Sequence, residues 1–165
     1  MNQKASKAPV EIERKWLIDK ANIPYDLSTY EHHELSQRYL SFHPTIRIRS
    51  VDEKEFILTV KGSSVNGSLA HEEYELVISA DEYGSLIPKC EGNEVTKTRY
   101  LIPEGDLLLE IDLFHGALEG HATLEIEFPD EESANSFPSP AWITRDVSTD
   151  PAYKNTSLAR KGLPQ

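Results

Sequence analysis

Cysteine is almost missing from this sequence, with Cys90 the only one in 165 residues. A single thiol excludes an intrachain disulfide framework and a zinc cage built from cysteines. Long apolar runs are missing too, and none approaches the roughly 18 residues of a membrane-spanning helix. Met1 to Pro9 is polar, without the apolar centre of a secretory signal, and is expected to be a disordered tail. Positive charge is scarce: 17 Lys and Arg stand against 28 Asp and Glu, a formal net charge of -11. Nucleic-acid partners call for a basic surface, which argues against one here. The expectation is a cytoplasmic protein with neither nucleic acid nor membrane as partner, and with a homodimer left open.

The rest of the composition is that of a soluble domain, 38% hydrophobic and 27% charged. Residues 10–165 are expected to form a single domain, large enough to bury a substantial core. Most of the chain alternates apolar and polar residues, the strand period. Strands are expected at Val10–Ile18, Ser36–Ser41, Thr45–Asp52, Glu55–Lys61, Ala70–Val77, Asn93–Leu101, Leu107–Phe114 and Ala122–Phe128. Gly62–Gly67 and Pro103–Asp106 read as turns. Ser79 or Asp81 could cap a short helix reaching Pro88, Asp130 another through Asn135, and Asp150 with Pro151 a third toward Leu158. The predicted fold is mainly β (α+β): an eight-stranded antiparallel closed barrel with a charged interior, packed by a few short helices.

What the chain does have is charge sorted by strand. Residues two apart share a strand face. Glu11, Glu13 and Lys15 therefore face one way, and Ile12, Arg14 and Trp16 the other. Arg47 with Arg49, Glu73 with Glu75, Lys97 with Arg99, Glu110 with Asp112, and Glu125 with Glu127 repeat the pattern, and Lys61 follows Thr59. A sheet with one solvated face also alternates, but it would scatter its signs. Here basic pairs and acidic pairs fall on different strands. Closed with the charges inward, the strands would line a lumen with Lys15, Arg47, Arg49, Lys61, Lys97 and Arg99, accompanied by the carboxylates. Such groups cannot be buried unpaired, so they need one another, water, a polyanion and divalent cations. Arginine forks and lysine ammonium groups match phosphate oxygens, and clustered carboxylates suit hard cations such as Mg²⁺.

At these residues the sequence resembles the CYTH superfamily, the triphosphate tunnel metalloenzymes. Glu11-Ile12-Glu13-Arg14-Lys15 is similar to the family's Glu-x-Glu-x-Lys signature. Arg47-x-Arg49, Thr59-Val60-Lys61-Gly62, Glu73-x-Glu75, Lys97-x-Arg99, Glu110-x-Asp112 and Glu125-x-Glu127 follow in the family's order. The resemblance implies a tunnel that hydrolyses or cyclises a small-molecule triphosphate with Mg²⁺ or Mn²⁺. It implies Lys15, Arg47, Arg49, Lys61, Lys97 and Arg99 on the phosphates, and Glu11, Glu13, Asp112, Glu125 and Glu127 on the metal. Glu73, Glu75 and Glu110 would support those cations or serve as further metal ligands. Gln37-Arg38-Tyr39-Leu40 resembles the short bacterial branch that contains inorganic triphosphatases, in which Tyr39 and Lys15 would take the places that activate water. A lysine desolvated among cations loses proton affinity and could act as the base. Ala5 and Ser6 stand where class IV adenylate cyclases of this family carry His-Phe, which disfavours cyclisation. Two rival functions stand beside these: thiamine triphosphate hydrolysis, and non-catalytic binding of polyphosphate or nucleotide. His32 and His33 sit in a Tyr25–Glu34 stretch of low pattern content and are expected to hold no metal.

Overall fold

The computed structural model describes residues 10–64 and 69–165. Nine strands form one antiparallel sheet: β1 (Val10–Ile18), β2 (Glu31–Phe42), β3 (Thr45–Val51), β4 (Glu55–Ser64), β5 (Ala70–Ile78), β6 (Glu91–Glu104), β7 (Leu107–Phe114), β8 (Ala122–Glu127) and β9 (Ile143–Asp146). Their order is β5-β4-β3-β2-β6-β7-β8-β1-β9, and β1 also pairs with β5. That pairing closes the first eight into the expected barrel. Val10, Glu11 and Ile12 meet Glu72, His71 and Ala70, while Trp16–Ile18 further along β1 pair with β9.

The apolar core lies outside the barrel wall. Trp16, Ile102, Leu109, Ile111, Leu124 and Ile126 are buried on the outer faces of β1, β6, β7 and β8. Over them pack Ala134 of α2 (Glu131–Ser136), then Phe137 and Trp142, and from the other side Ile23, Tyr25, Leu27 and Tyr30. Each fully buried side chain of this kind contributes about 1.5–3 kcal/mol. Arg14, outward between two lumen residues, ties this layer down. Its guanidinium donates to the Ala134 and Phe137 carbonyls at 3.0 and 2.7 Å and to Asp146 of β9 at 2.5 Å.

Ser79 caps α1 (Ala80–Leu86) in a reciprocal box with Glu82, and Tyr83 of that helix packs on Phe56 of β4 at 4.7 Å. Asp130 caps α2 as expected. The third helix differs. Asp150 caps only a 3₁₀ turn, Pro151–Tyr153, and α3 (Asn155–Lys161) starts afresh with no side-chain cap. Nor does α3 cover an outer face. Its Leu158 and Ala159 pack against Tyr39, Val95 and Phe114, which point inward, so the helix closes one end of the lumen. Among the described residues no helix covers the outer face of β5: Tyr74 and Leu76 remain 51% and 61% exposed.

Two further differences have plain causes. The Tyr25–Glu34 stretch is a 3₁₀ turn at Leu27–Thr29 followed by the start of β2, where Glu31–Glu34 pair with Thr98–Leu101 of β6. Pro103 does not begin the β6–β7 turn but stays in the strand opposite Leu108. The chain reverses at Gly105-Asp106, where Gly105 takes φ +61°, a conformation glycine adopts without strain. The Gly62–Gly67 turn falls largely outside the described residues, as does the Met1–Pro9 tail. Among the described residues no helix is long and apolar enough to cross a membrane.

Candidate active site inside the barrel

The pleat directs the charged residues of seven strands into a cavity of about 1210 Å³. Glu11, Glu13 and Lys15 of β1, Arg47 and Arg49 of β3, Lys61 of β4, Glu73 and Glu75 of β5, Lys97 and Arg99 of β6, Glu110 of β7, and Glu125 and Glu127 of β8 all line it. Tyr39 lines it from β2. Asp112 is fully buried behind Lys97 and Arg99.

The carboxylates divide into two groups by their partners. Asp112 accepts from Lys97 and takes Arg99 at 2.7 and 2.8 Å. Glu125 lies 3.0 Å from Lys15 and 3.2 Å from Arg99. Burial pushes both acids upward, but these cations outweigh it and hold them below the usual carboxylate range. Glu11, Glu13 and Glu127 behave in the opposite sense. Burial raises all three, and neighbouring carboxylates raise them further: Glu73 for Glu11, Glu125 for Glu13, Glu11 and Glu13 for Glu127. Glu13 and Glu127 are direct cross-strand partners. Like charges opposed in this way are stabilised by a shared cation. Burial likewise pushes Glu110 up to about 7, although Arg99 reaches it at 2.5 Å.

The cations divide as well. Lys61 pairs with Glu11 at 2.9 Å and Glu73 at 3.6 Å. Among the described residues Arg47 has only long carboxylate contacts, 3.7 Å to Glu73 and 3.8 Å to Glu75. Arg49 has no carboxylate within 4 Å among the described residues, and the Nε atoms of both arginines lack acceptors there. Burial, then Arg47 and Arg99, lower Arg49 to about 10. Arg49 is therefore a half-buried guanidinium, without a counter-ion among the described residues, lining the cavity.

Lys15 stands among carboxylates. Burial does lower its proton affinity, but Glu125 and Glu13 more than reverse this, and Lys15 keeps its proton. The groups nearest it are carboxylates, not the cations that would make it a base. Tyr39 is 1% exposed, and burial raises its hydroxyl against the fields of Arg47, Lys15, Arg49 and Lys61, so it too stays protonated.

No three acidic, histidine or cysteine side chains among the described residues already form a closed metal cage. The paired carboxylates still fit Mg²⁺, which binds through one or two carboxylates and completes its shell with water and substrate phosphates. His33 is held by Asp52 at 2.7 Å and Glu31 at 3.1 Å, and His32 lies tilted against the Tyr100 ring. The charge pattern could not reveal several further lining residues. Gln37 and Thr59 are neutral, while Ser148, Lys154, Asn155 and Arg160 come from the C-terminal segment, which lacks alternation.

Residues 10–162 match the CYTH domain. The chain is 38% identical to an inorganic triphosphatase of Nitrosomonas europaea over 157 residues, covering 90% of this chain and 96% of that protein. It is 36% identical to an inorganic triphosphatase of Acetivibrio thermocellus, covering 75% and 78% respectively. A crystal structure of an inorganic triphosphatase superposes with a TM-score of 0.65 at 33% identity, over 90% of this chain and 93% of that one. A barrel carrying the seven charge motifs on its inner wall, matched from end to end by one family model, establishes that the chain belongs to the CYTH family.

Proposed function

We propose that the protein hydrolyses a small-molecule triphosphate, with inorganic triphosphate preferred, to diphosphate and phosphate inside the barrel. The observation that carries this reading is Arg49, a half-buried guanidinium with a buried Nε and no carboxylate partner among the described residues, beside an Arg47 that is only loosely paired. Such donors need an oxyanion, and a polyphosphate supplies several. The two relatives at 36–38% identity are inorganic triphosphatases, which agrees.

Arg47, Arg49, Lys61, Lys97 and Arg99 hold the phosphate oxygens and spread the charge that develops on the transferred group. Glu11, Glu13 and Glu127 are the residues that would hold a divalent cation, Mg²⁺ or Mn²⁺. When bound, that ion neutralises phosphate charge and orients the chain of phosphates. Asp112 and Glu125, claimed by Lys97, Arg99 and Lys15, set the positions of those cations first, and Glu73 and Glu75 do so for Arg47. Lys15, as an ammonium, and Tyr39, as a phenol, orient the attacking water and the terminal phosphoryl oxygens. The water oxygen bonds to the terminal phosphorus, and the bond from that phosphorus to the bridging oxygen breaks, its electron pair leaving on diphosphate. The water proton passes to a phosphoryl oxygen, since a loose transition state asks little of a protein base. The soluble composition and the single, unpaired cysteine support a cytoplasmic setting.

Phosphate release from triphosphate, ATP and thiamine triphosphate, each with Mg²⁺ and with Mn²⁺, tests the proposal. Triphosphate is expected to be turned over fastest, with no activity in excess chelator. Arg49→Ala is expected to lower kcat/KM by roughly a hundredfold or more, the scale of one lost preorganised donor. A parent protein inert toward all three substrates would overturn the reading.

A further inference from the structure

We infer that Gln37 is a further substrate-contacting residue, whose side-chain amide donates a hydrogen bond to a phosphate oxygen next to Arg49. The inference rests on the triphosphate reading of the tunnel. Gln37 is 1% exposed and lines the cavity, yet its Nε2 has no acceptor among the described residues. A buried amide donor without a partner is costly and rare, and its presence calls for an explanation. The neighbours narrow that explanation. On one side Gln37 pairs across the sheet with Arg49, and on the other with the apolar Val95. Two residues along the same face stands Tyr39, opposite Arg47. The Nε atoms of Arg47 and Arg49 also lack acceptors. Among the described residues, the β2–β3 wall therefore presents three unmet donors, all from lumen-facing side chains.

The choice of glutamine has an electrostatic reason. Desolvation lowers Arg49's hold on its own proton, and the repulsion of Arg47 and Arg99 lowers it further. A further cation at position 37 would deepen that repulsion, and a carboxylate would pair with Arg49 and compete with the substrate. A carboxamide adds a donor without adding charge. It fixes the direction of one phosphate oxygen beside those that the arginines hold.

Two substitutions test this. Gln37→Met keeps length and apolar bulk but removes the donor, and Gln37→Glu keeps the shape but turns a donor into an anion beside Arg49. With saturating divalent cation, Gln37→Met is expected to lower kcat/KM for triphosphate about tenfold or more, mainly through KM, as for a hydrogen bond to a charged group. Its melting temperature without ligand should equal or exceed that of the parent, because an unmet polar group has been removed. Gln37→Glu should lose more activity than Gln37→Met. The inference is overturned by a Gln37→Met protein with the parent kcat/KM, or by one whose activity loss comes with a lower ligand-free melting temperature. Arg49→Met is measured alongside. If it loses turnover while Gln37→Met does not, the assignment of Gln37 fails alone. If the parent does not turn over triphosphate, the reading of the tunnel fails with it.

Discussion

Tyr39 and Asp112 show how differently two buried polar side chains in one lumen can act. Tyr39 packs its ring on Phe42 at 5.3 Å and belongs to the cluster under α3, so only its hydroxyl is free for chemistry. Tyr39→Phe should preserve that packing and leave KM for triphosphate close to the parent value while kcat falls, the pattern of an interaction made chiefly in the transition state. Parent kcat across the pH range would remove Tyr39 from the mechanism. Asp112 is structural first. It is the shared counter-ion of Lys97 and Arg99, and Asp112→Ala would leave a buried and a half-buried cation competing for Glu125 and Glu110. A loss of about 3–5 kcal/mol is expected, read from urea unfolding of the metal-free protein. Glu110 allows a test of sign. An acid whose pKa is raised on folding adds stability that is complete below its unfolded value and is lost as pH climbs to its folded value. For Glu110 that window runs from 4.5 to about 7. Asp112 and Glu125 are shifted the other way, so their contribution is lost only at more acidic pH. In chelator, the excess of the parent's melting temperature over that of Glu110→Gln should therefore shrink as pH rises through that window. An excess that stays constant across the window would remove Glu110 from the pH dependence.

At the level of elements, α3 fits against β6 because the second residue of that strand, where it passes the helix, is a glycine. Gly92 has φ +70°, and a Cβ there would stand 2.9 Å from the Ala159 carbonyl oxygen and 3.0 Å from the Phe42 ring. Backbone cannot give way as a side-chain tip can, so Gly92→Ala should cost on the order of 2 kcal/mol and unseat α3. Hydrogen exchange across 155–161 should then accelerate while β7 and β8 keep their protection; uniform protection loss would instead mean global unfolding. This contact is not legible in the sequence, and the reason bears on what is. Strands β1 and β7 can be read from the sequence because Val10–Glu13 and Leu109–Leu113 alternate, and Gly105 marks the turn before β7. β9 is only Ile-Thr-Arg-Asp, too short to show a period, and owes its state to pairing with Trp16–Ile18. The charged half of the site is equally plain, since like charges at i and i+2 mark one strand face. Gln37 carries no charge and leaves no such mark; only its burial and unmet donor single it out. Lys15 stands out by pattern, but its protonation depends on which strand lies beside β1, and that is a matter of topology.

For the whole molecule, the barrel's closure has unequal seams. β4 and β5 share register from Phe56 opposite Ile78 to Lys61 opposite Glu73, whereas the described ladder between β1 and β5 has three residue pairs, Val10–Ile12 against Ala70–Glu72. A cylinder opens where its ladder is shortest, so this junction is its hoop-strength limit. The two sides carry complementary parts of the site: Glu11 and Glu13 on β1, and on the β4–β5 hairpin Lys61, which spans the seam to Glu11 at 2.9 Å. A polyanion and a cation bound across that line would rivet the hoop, and occupancy of the tunnel would slow the escape of the chain from its native state more than it speeds folding. Circumferential closure and catalytic occupancy then become one quantity, and the enzyme would resist proteolysis for as long as it has substrate to turn over.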